Sequence, residues 1–338
     1  MRLLIVSDAW HPQVNGVVRT LSMAVRELRR GGDLVEVVGP DRFRGIGLPG
    51  DPAIRLALRP RRRLEGLVRD FAPDAVHIAT EGPLGWAMRA LCRARGWRFT
   101  TAFHTRFPDY LRARFGIPPA LSWMVLRRFH AAAAHTLVAT PALQAELSAQ
   151  GFRHLRPWSR GVETGLFRPG PRDAFADLPR PLFLHAGRLA PEKNIAAFLA
   201  LDLPGSKVVV GDGPQRAALQ RQFPAARFTG FLHGEALARA YAAADVFVFP
   251  SRSDTFGLVL LEALACGTPV AAYPQPGPAA VLEGAAGAIG RAEHDLRSAC
   301  LGALTADREA CRRQAERFSW AACTAQMRAS LVPLLAPG

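Results

Sequence analysis

Two carboxylates, Asp254 and Glu262, stand in the stretch SRSDTFGLVLLEALACGTPV, Ser251 to Val270. From Leu258 to Ala265 every residue except Glu262 is apolar. A helix that is apolar all round is a buried helix, and an ionised carboxylate inside it is costly unless something pairs with it. Val246–Phe249 before Pro250 reads as a buried strand, and Ser251–Thr255 as the loop at its carboxyl end. The helix is expected to start near Phe256, with Asp254 or Thr255 as N-cap, and to stop at Gly267 with Pro269 just beyond. Its first amides, those of Phe256, Gly257 and Leu258, would face an anion, and Gly257 would let that anion approach the backbone closely. Acids on either side of such a site can accept hydrogen bonds from hydroxyls. A nucleotide sugar has that order of groups: sugar, diphosphate, ribose. The plainer alternative makes Asp254 a cap and Glu262 a paired core charge.

The elements that must position these residues alternate between strand and helix, the pattern of a parallel α/β sheet. Leu3–Val6 reads as a strand, Asp8–Gly16 as a loop and Val17–Arg30 as a helix, whose apolar positions Val17, Val18, Leu21, Ala24, Val25 and Leu28 follow helical spacing. Further strands are expected at Val35–Val38, Ala75–Ile78, Phe99–Phe103 and Thr136–Ala139. A second unit of the same kind starts near Pro181, with strands Leu182–Ala186, Val208–Val210, Val246–Phe249 and Val270–Tyr273. The Pro- and charge-rich segment Arg168–Pro181 reads as a linker. The expected domains are therefore 1–170 and 171–338, two Rossmann-like folds facing each other across a cleft, with the last helix packing back on the first. In such sheets ligands sit at the carboxyl ends of the strands.

Composition narrows the classes. The 338 residues are 49% hydrophobic and 21% charged, as in a globular protein with substantial cores. No apolar run reaches the roughly 20 residues that span a bilayer, and the start MRLLIVSDAW lacks a signal-peptide core. Five scattered cysteines without a C-x-x-C pair favour a reducing cytosol, with neither disulfides nor a zinc site. The net charge of +15 is uneven: residues 1–170 hold 26 Arg/Lys against 13 Asp/Glu, the remainder 17 against 15. Either the first half meets an anionic partner, nucleic acid or a membrane surface, or a GC-rich genome writes arginine freely.

The string DTFGLVLLEALACGTPVAAY is similar to the E-x7-E element of the retaining family 4 glycosyltransferases of GT-B fold, with Asp in the first place, and most resembles the mannosyl- and sulfoquinovosyl-type lipid glycosyltransferases. The resemblance implies that Asp254 holds the donor sugar's hydroxyls and Glu262 the nucleotide ribose. HAGRLAPEKN, His185–Asn194, resembles the family's G-R-x-x-x-x-K element, which assigns Arg188 and Lys193 to the diphosphate; two cations there would neutralise charge on a leaving group. VVVGDGP resembles the loop beneath the nucleobase, with Gly211 and Gly213 leaving room for a flat ring. DAWHPQVNGVVRTL resembles the glycine loop, with Asn15 and Gly16 near the donor phosphate, and FHTRFPDY sets His104 near the donor sugar. Glu81, after strand Ala75–Ile78, either orders its loop or touches the acceptor. Arg106 and Tyr110 are candidates for the acceptor side.

The reading that follows is a metal-independent, retaining hexosyltransferase without a cofactor beyond its substrate, a UDP- or GDP-sugar. Its acceptor would be a membrane lipid such as diacylglycerol, or alternatively a polysaccharide or lipid-linked glycan. There is no D-x-D element, no metal-ligand cluster and no evident pair of nucleophile and base. A sugar-nucleotide epimerase and a nucleic-acid-binding module are weaker alternatives; no helix-turn-helix, zinc-finger or aromatic RNA-binding signature supports the latter. Apolar and aromatic residues mixed with arginines over Arg106–His130, together with RPRRR at Arg59–Arg63, are what an interfacial contact needs. The expectation is a cytoplasmic protein, peripheral on the inner face of the membrane through its N-terminal domain.

Overall fold

Strands of three to five residues, most of them followed by a helix, pair side by side into two six-stranded sheets. The computed structural model describes residues 1–13, 15–48, 51–104, 116–252 and 254–335. In the first sheet β1 (Arg2–Val6), β2 (Leu34–Val38), β5 (Ala75–Ile78), β6 (Thr100–Ala102), β7 (His135–Val138) and β8 (Leu155–Pro157) lie in the order β2-β1-β5-β6-β7-β8. A separate antiparallel hairpin joins β3 (Gly45–Leu48) to β4 (Asp51–Ala57). In the second sheet β9 (Leu182–Ala186), β10 (Ser206–Val210), β11 (Arg227–Gly230), β12 (Val246–Phe249), β13 (Val270–Ala272) and β14 (Gly290–Ala292) lie in the order β11-β10-β9-β12-β13-β14. Every pairing within the two large sheets is parallel. Such strands need helices on both faces, which is why β1, β5, β9 and β12 are buried almost throughout.

Strand order sets where a ligand can sit. In the second sheet the chain moves outward from β9 through β10 to β11, then returns to lay β12 on the other side of β9. In the first sheet the same reversal falls between β1 and β5. Helices leaving neighbouring strands in opposite directions open a crevice at the carboxyl ends of those strands.

The helix Gly16–Arg30 illustrates how an element is specified. Asn15 in extended conformation accepts from the amides of Val17 and Val18, both at 3.0 Å, satisfying two of the N–H groups a helix start leaves open. Val18, Leu21, Val25 and Leu28 form its buried face. Gly31 and Gly32 then end it, with φ of +84° at Gly32.

The fold falls into two units, Met1–Ser159 with Trp320–Gly338, and Arg160–Ser319. The break thus lies about ten residues before the expected boundary, and Arg168–Pro181 is part of the second unit rather than a linker. Its charged side chains find partners inside that unit: Arg172 and Arg180 share Asp245, Asp173 pairs with Arg239 at 2.9 Å and Asp177 with Arg227 at 2.6 Å. The helix Trp320–Ser330 belongs to the first unit. There Gln326 Oε1 accepts from the Ser159 amide at 2.7 Å, and Arg328 Nε donates to Asp33 at 2.8 Å.

Asp33 yields a prediction. The hydrogen bond from Arg328 outweighs burial and holds the Asp33 carboxyl below the usual aspartate range. A depressed native pKa contributes stability that is complete above the unfolded value and lost as pH falls through the native one. Arg328→Ala should therefore loosen the last helix and start its acid release at a higher pH. Amide exchange across Trp320–Ser330 should speed up by about tenfold, the loss of one charge-assisted bond. Unchanged exchange in that helix contradicts the assignment.

Candidate active site

The crevice of the second sheet is bordered by the loops after β9 and β12, and these carry the cation and the carboxylate that matter most. Lys193 Nζ donates to both oxygens of Asp254, at 2.6 and 2.8 Å. Asn194 Nδ2 donates to the Pro250 carbonyl at 3.2 Å and Ser251 Oγ to the Glu192 carbonyl at 3.3 Å, so the two loops are tied at three places. Burial alone would raise the Asp254 carboxyl; the charge and hydrogen bonds of Lys193, with Ser251, hold it below the usual range. Asp254 is thus a carboxylate and an acceptor at neutral pH. Arg188, half-buried, follows Gly187 at the carboxyl end of β9.

The helix after β12 spans Leu258–Ala265, two residues later than expected, and no side chain caps it. Neither Asp254 nor Thr255 is its N-cap. Asp254 is engaged by Lys193, and the cap position is taken by Gly257 at φ +89°. A Cβ there would lie 2.8 Å from the Phe249 ring and in a conformation side chains avoid. The amides of Phe256, Gly257 and Leu258 have no protein acceptor among the described residues, as an anion at this end would require.

Glu262 lies in the second turn and is 3% exposed. The Tyr241 hydroxyl, from the helix Gly234–Ala243, donates to its Oε2 at 3.1 Å. That partner is invisible in the local pattern, since Tyr241 precedes Glu262 by a strand and a loop. Its one local signal is a lone hydroxyl in the run ALARAYAAA.

Gly211 and Gly213, after β10, are required by the packing of the chain itself. A Cβ at Gly211 would stand 1.8 Å from the Gly187 carbonyl oxygen, and one at Gly213 2.5 Å from that of Leu189. The two loops lie backbone to backbone, with the Leu189 amide donating to the Asp212 carbonyl at 2.9 Å. The glycines therefore fix the loop that carries Arg188.

His185 was absent from the expected site. Its Nδ1 donates to the Val248 carbonyl at 3.1 Å, and burial pushes its pKa down to about 4. The ring is neutral, so Nε2 is an acceptor; it has no described partner and lies 3.5 Å from where a Gly187 Cβ would be.

In the first unit the loops after β1, β5 and β6 carry the remaining candidates. Asn15 caps its helix, as described, and beside it Gly16 has open space where a side chain would be. Asp8, not foreseen, accepts from the Thr80 hydroxyl at 3.0 Å and the Leu84 amide at 2.8 Å, and so caps the helix Pro83–Ala94 from a distance. Burial pushes its carboxyl above the usual range, against the lowering by these bonds. Glu81 pairs with His130 Nε2 at 3.1 Å, and His130 Nδ1 meets Thr101 Oγ1 at 2.9 Å. Between the two roles open to it, this favours ordering the loop. His104 is buried at the end of β6, edge-on to Trp158 at 5.4 Å. Arg106 and Tyr110 lie outside the described residues.

Comparison with known proteins decides the family. The model described as "Glycosyltransferase Family 4" matches residues 14–166, and that described as "Glycosyl transferases group 1" matches 180–305. A GDP-mannose-dependent alpha-mannosyltransferase of Mycolicibacterium smegmatis is 34% identical over 82% of this chain and 81% of its own length. The chain belongs to glycosyltransferase family 4. The sulfoquinovosyl transferase SQD2 of Arabidopsis thaliana is 31% identical over 96% of this family 4 chain and 72% of its own. Among solved structures, sucrose-phosphate synthase from Thermosynechococcus elongatus superposes with a TM-score of 0.77 over 97% of this chain and 98% of that one, at 21% identity. At that identity it shows the fold, two Rossmann-like domains of the GT-B kind. No group of three or more His, Cys, Asp or Glu suited to a metal occurs among the described residues of the glycosyltransferase.

Glu262 can be tested in the family 4 enzyme by two substitutions. Glu262→Gln keeps an acceptor for the Tyr241 hydroxyl. If the carboxylate holds a ribose, it should cost about 1–3 kcal/mol of nucleotide binding with little change in unfolding midpoint. Tyr241→Phe leaves a buried carboxylate short of one donor and should cost stability of similar size. Calorimetric titration and unfolding curves separate the roles. Lost stability with unchanged nucleotide affinity in Glu262→Gln rejects the ribose assignment.

Proposed function

We propose that this glycosyltransferase moves a hexose from a GDP- or UDP-sugar to a membrane lipid acceptor such as diacylglycerol, with retention at the sugar and without a catalytic metal. The observation that carries the donor half is the bidentate Lys193–Asp254 pair beside the open amides of Phe256, Gly257 and Leu258. An ammonium has three protons and gives two to Asp254, leaving one for a phosphate oxygen. Asp254, kept ionised by that pairing, offers lone pairs to the hydroxyls of the sugar next to the phosphate. As the sugar–oxygen bond breaks, charge gathers on the diphosphate, where Lys193, Arg188 and the three amides stabilise it more than they stabilise the substrate. Glu262 would hold the ribose. The relatives named GDP-mannose-dependent mannosyltransferases favour GDP-mannose among the donors. An alpha-monoglucosyldiacylglycerol synthase of Streptococcus pneumoniae, 28% identical over 90% of this chain, supports a lipid acceptor.

Thermal stabilisation by a panel of GDP- and UDP-sugars tests the donor, since a ligand at a hundred times its Kd adds about 2.7 kcal/mol. With the donor found, Arg188→Ala should lower kcat/KM on the order of a hundredfold, and Lys193→Ala somewhat less. EDTA should change neither. Near-normal turnover in both variants means that the diphosphate is held elsewhere.

The membrane half of the proposal rests on a different surface than the aromatic residues of 106–130 suggested. Phe129 and Leu126 are core, and Trp123 stacks on Phe103 at 6.2 Å; Phe107, Tyr110, Leu111, Phe115, Arg112 and Arg114 lie outside the described residues. What the helix Pro119–His130 exposes is Leu121, Met124 and Val125, 50%, 53% and 43% accessible, with Arg128 one turn on. Spacing of three, four and seven puts them on one stripe. Arg59 and Arg61–Arg63 add exposed cations in the same unit. No helix among the described residues is long and apolar enough to cross a membrane, so the proposal is peripheral attachment at the cytoplasmic leaflet. Each arginine near an anionic surface contributes about 1 kcal/mol. Flotation should favour anionic over neutral vesicles, and a Met124→Ser/Val125→Ser/Arg128→Ser variant should float less. Binding that ignores lipid charge and these substitutions shifts the acceptor towards soluble glycans.

A further inference from the structure

The second sheet carries a basic cavity at the edge opposite to Lys193 and Asp254. Arg172, Arg180 and Arg308 line a space of about 320 Å³ with Asp245 as the one acidic residue of the lining. Pro181, Asp245 and Pro269, also in the lining, immediately precede β9, β12 and β13, so the cavity sits at the amino ends of these strands. The loops with Lys193 and Asp254 leave the carboxyl ends of β9 and β12, and a site here is separate from theirs.

The arginines are held without being neutralised. Asp245 pairs with Arg172, pairs with Arg180 at 2.9 Å, and also accepts from the Leu182 amide at 2.7 Å. Arg180 donates further to the carbonyls of Arg172 and Ala243, at 3.0 and 3.1 Å. Arg308 donates to those of Ala244 and Ala242, both at 2.8 Å, where the helix Gly234–Ala243 ends. Carbonyls fix a guanidinium's orientation but cancel none of its charge. Three cations face one carboxylate, an excess of two positive charges. Burial pulls the Arg308 pKa below its usual value and the charge of Arg172 adds to this, as expected where like charges are crowded. The Arg172 guanidinium makes one described bond, to Asp245, so most of its five N–H donors are available to a ligand.

We propose that this cavity is a second anion site that takes a phosphate group carrying about two negative charges. Guanidinium forks match phosphate oxygens two at a time, their directions are set before the ligand arrives, and a dianion balances the excess charge. A free phosphate or pyrophosphate and the phosphomonoester headgroup of a lipid share this chemistry.

Calorimetric titration with pyrophosphate, at ionic strength held constant with chloride, tests the site in the full-length protein. An Arg188→Ala/Lys193→Ala background removes the cations of the proposed donor site, so that failure of that reading and of this one are read apart. Saturable binding should persist in the background and weaken by about tenfold or more on adding Arg172→Ala, the loss of one charge-assisted contact. The Arg172 side chain is 41% exposed, so the fold should survive; where an unfolding curve says otherwise, Arg172→Lys keeps the charge, loses the fork and should still weaken binding. Flotation with phosphatidic-acid vesicles separates the sources: Arg172-dependent flotation displaced by pyrophosphate identifies the lipid headgroup, and flotation indifferent to Arg172 identifies the free ion. No pyrophosphate binding, binding lost in the background variant, or binding untouched by the Arg172 substitutions overturns the proposal.

Discussion

An ammonium and a carboxylate brought from loops 61 residues apart would each be costly standing alone, because a partly buried charge without a partner loses hydration and gains nothing in return. Lys193 and Asp254 avoid this by bidentate pairing, and the second unit is built to keep them together. β9 and β12 are adjacent only because the strand order reverses there. The loop after β9 is held by that after β10 through backbone contacts which only glycine at 211 and 213 permits. The loop after β12 is turned into its helix by Gly257, again with no room for a Cβ. Such a pair is weak as a source of stability, since desolvation consumes most of the attraction. What it supplies is orientation: an ionised acceptor and a cation with a proton to spare, side by side.

The same rule governs the other inward-facing acids. Asp8 takes amides at the start of a helix, Glu81 takes His130, Glu262 takes Tyr241 and Asp33 takes Arg328. A buried carboxylate with a partner reads as structural until a second demand on it is found. For Glu81 the ring of hydrogen bonds through His130 and Thr101 leaves little else to ask of it. Glu262 differs in its place, because its helix begins at amides that have no protein acceptor among the described residues.

Charge outside the crevices divides between the units in two ways. In the first, Arg59, Arg61–Arg63 and Arg128 lie on exposed surface. In the second the total is nearly balanced, yet Arg172, Arg180 and Arg308 are concentrated in one cavity with a single acid. A balance near zero over a whole domain says nothing about a local excess, because electrostatic interactions are screened over roughly 8–10 Å at physiological salt.

The alternation of apolar runs with helical periodicity was enough to place β1, β5, β9 and β12 within a residue, because strands buried on both faces carry little but apolar side chains. For the same reason β8, β11 and β14 escaped notice: edge strands are short and half solvated, and their residues carry no pattern. Local chemistry also singled out Asp254 and Glu262, in the loop and the helix that follow β12, and the resemblance singled out Arg188 and Lys193 in the loop after β9. Pairings between distant segments were beyond it. Nothing near Glu262 points to Tyr241, nothing in the Pro-rich segment before β9 points to Asp245, and nothing beside the glycines at 211 and 213 shows that they also touch another loop. A side chain's type sets what it can bond to; only the sheet order, by choosing which loops become neighbours, decided what it does bond to.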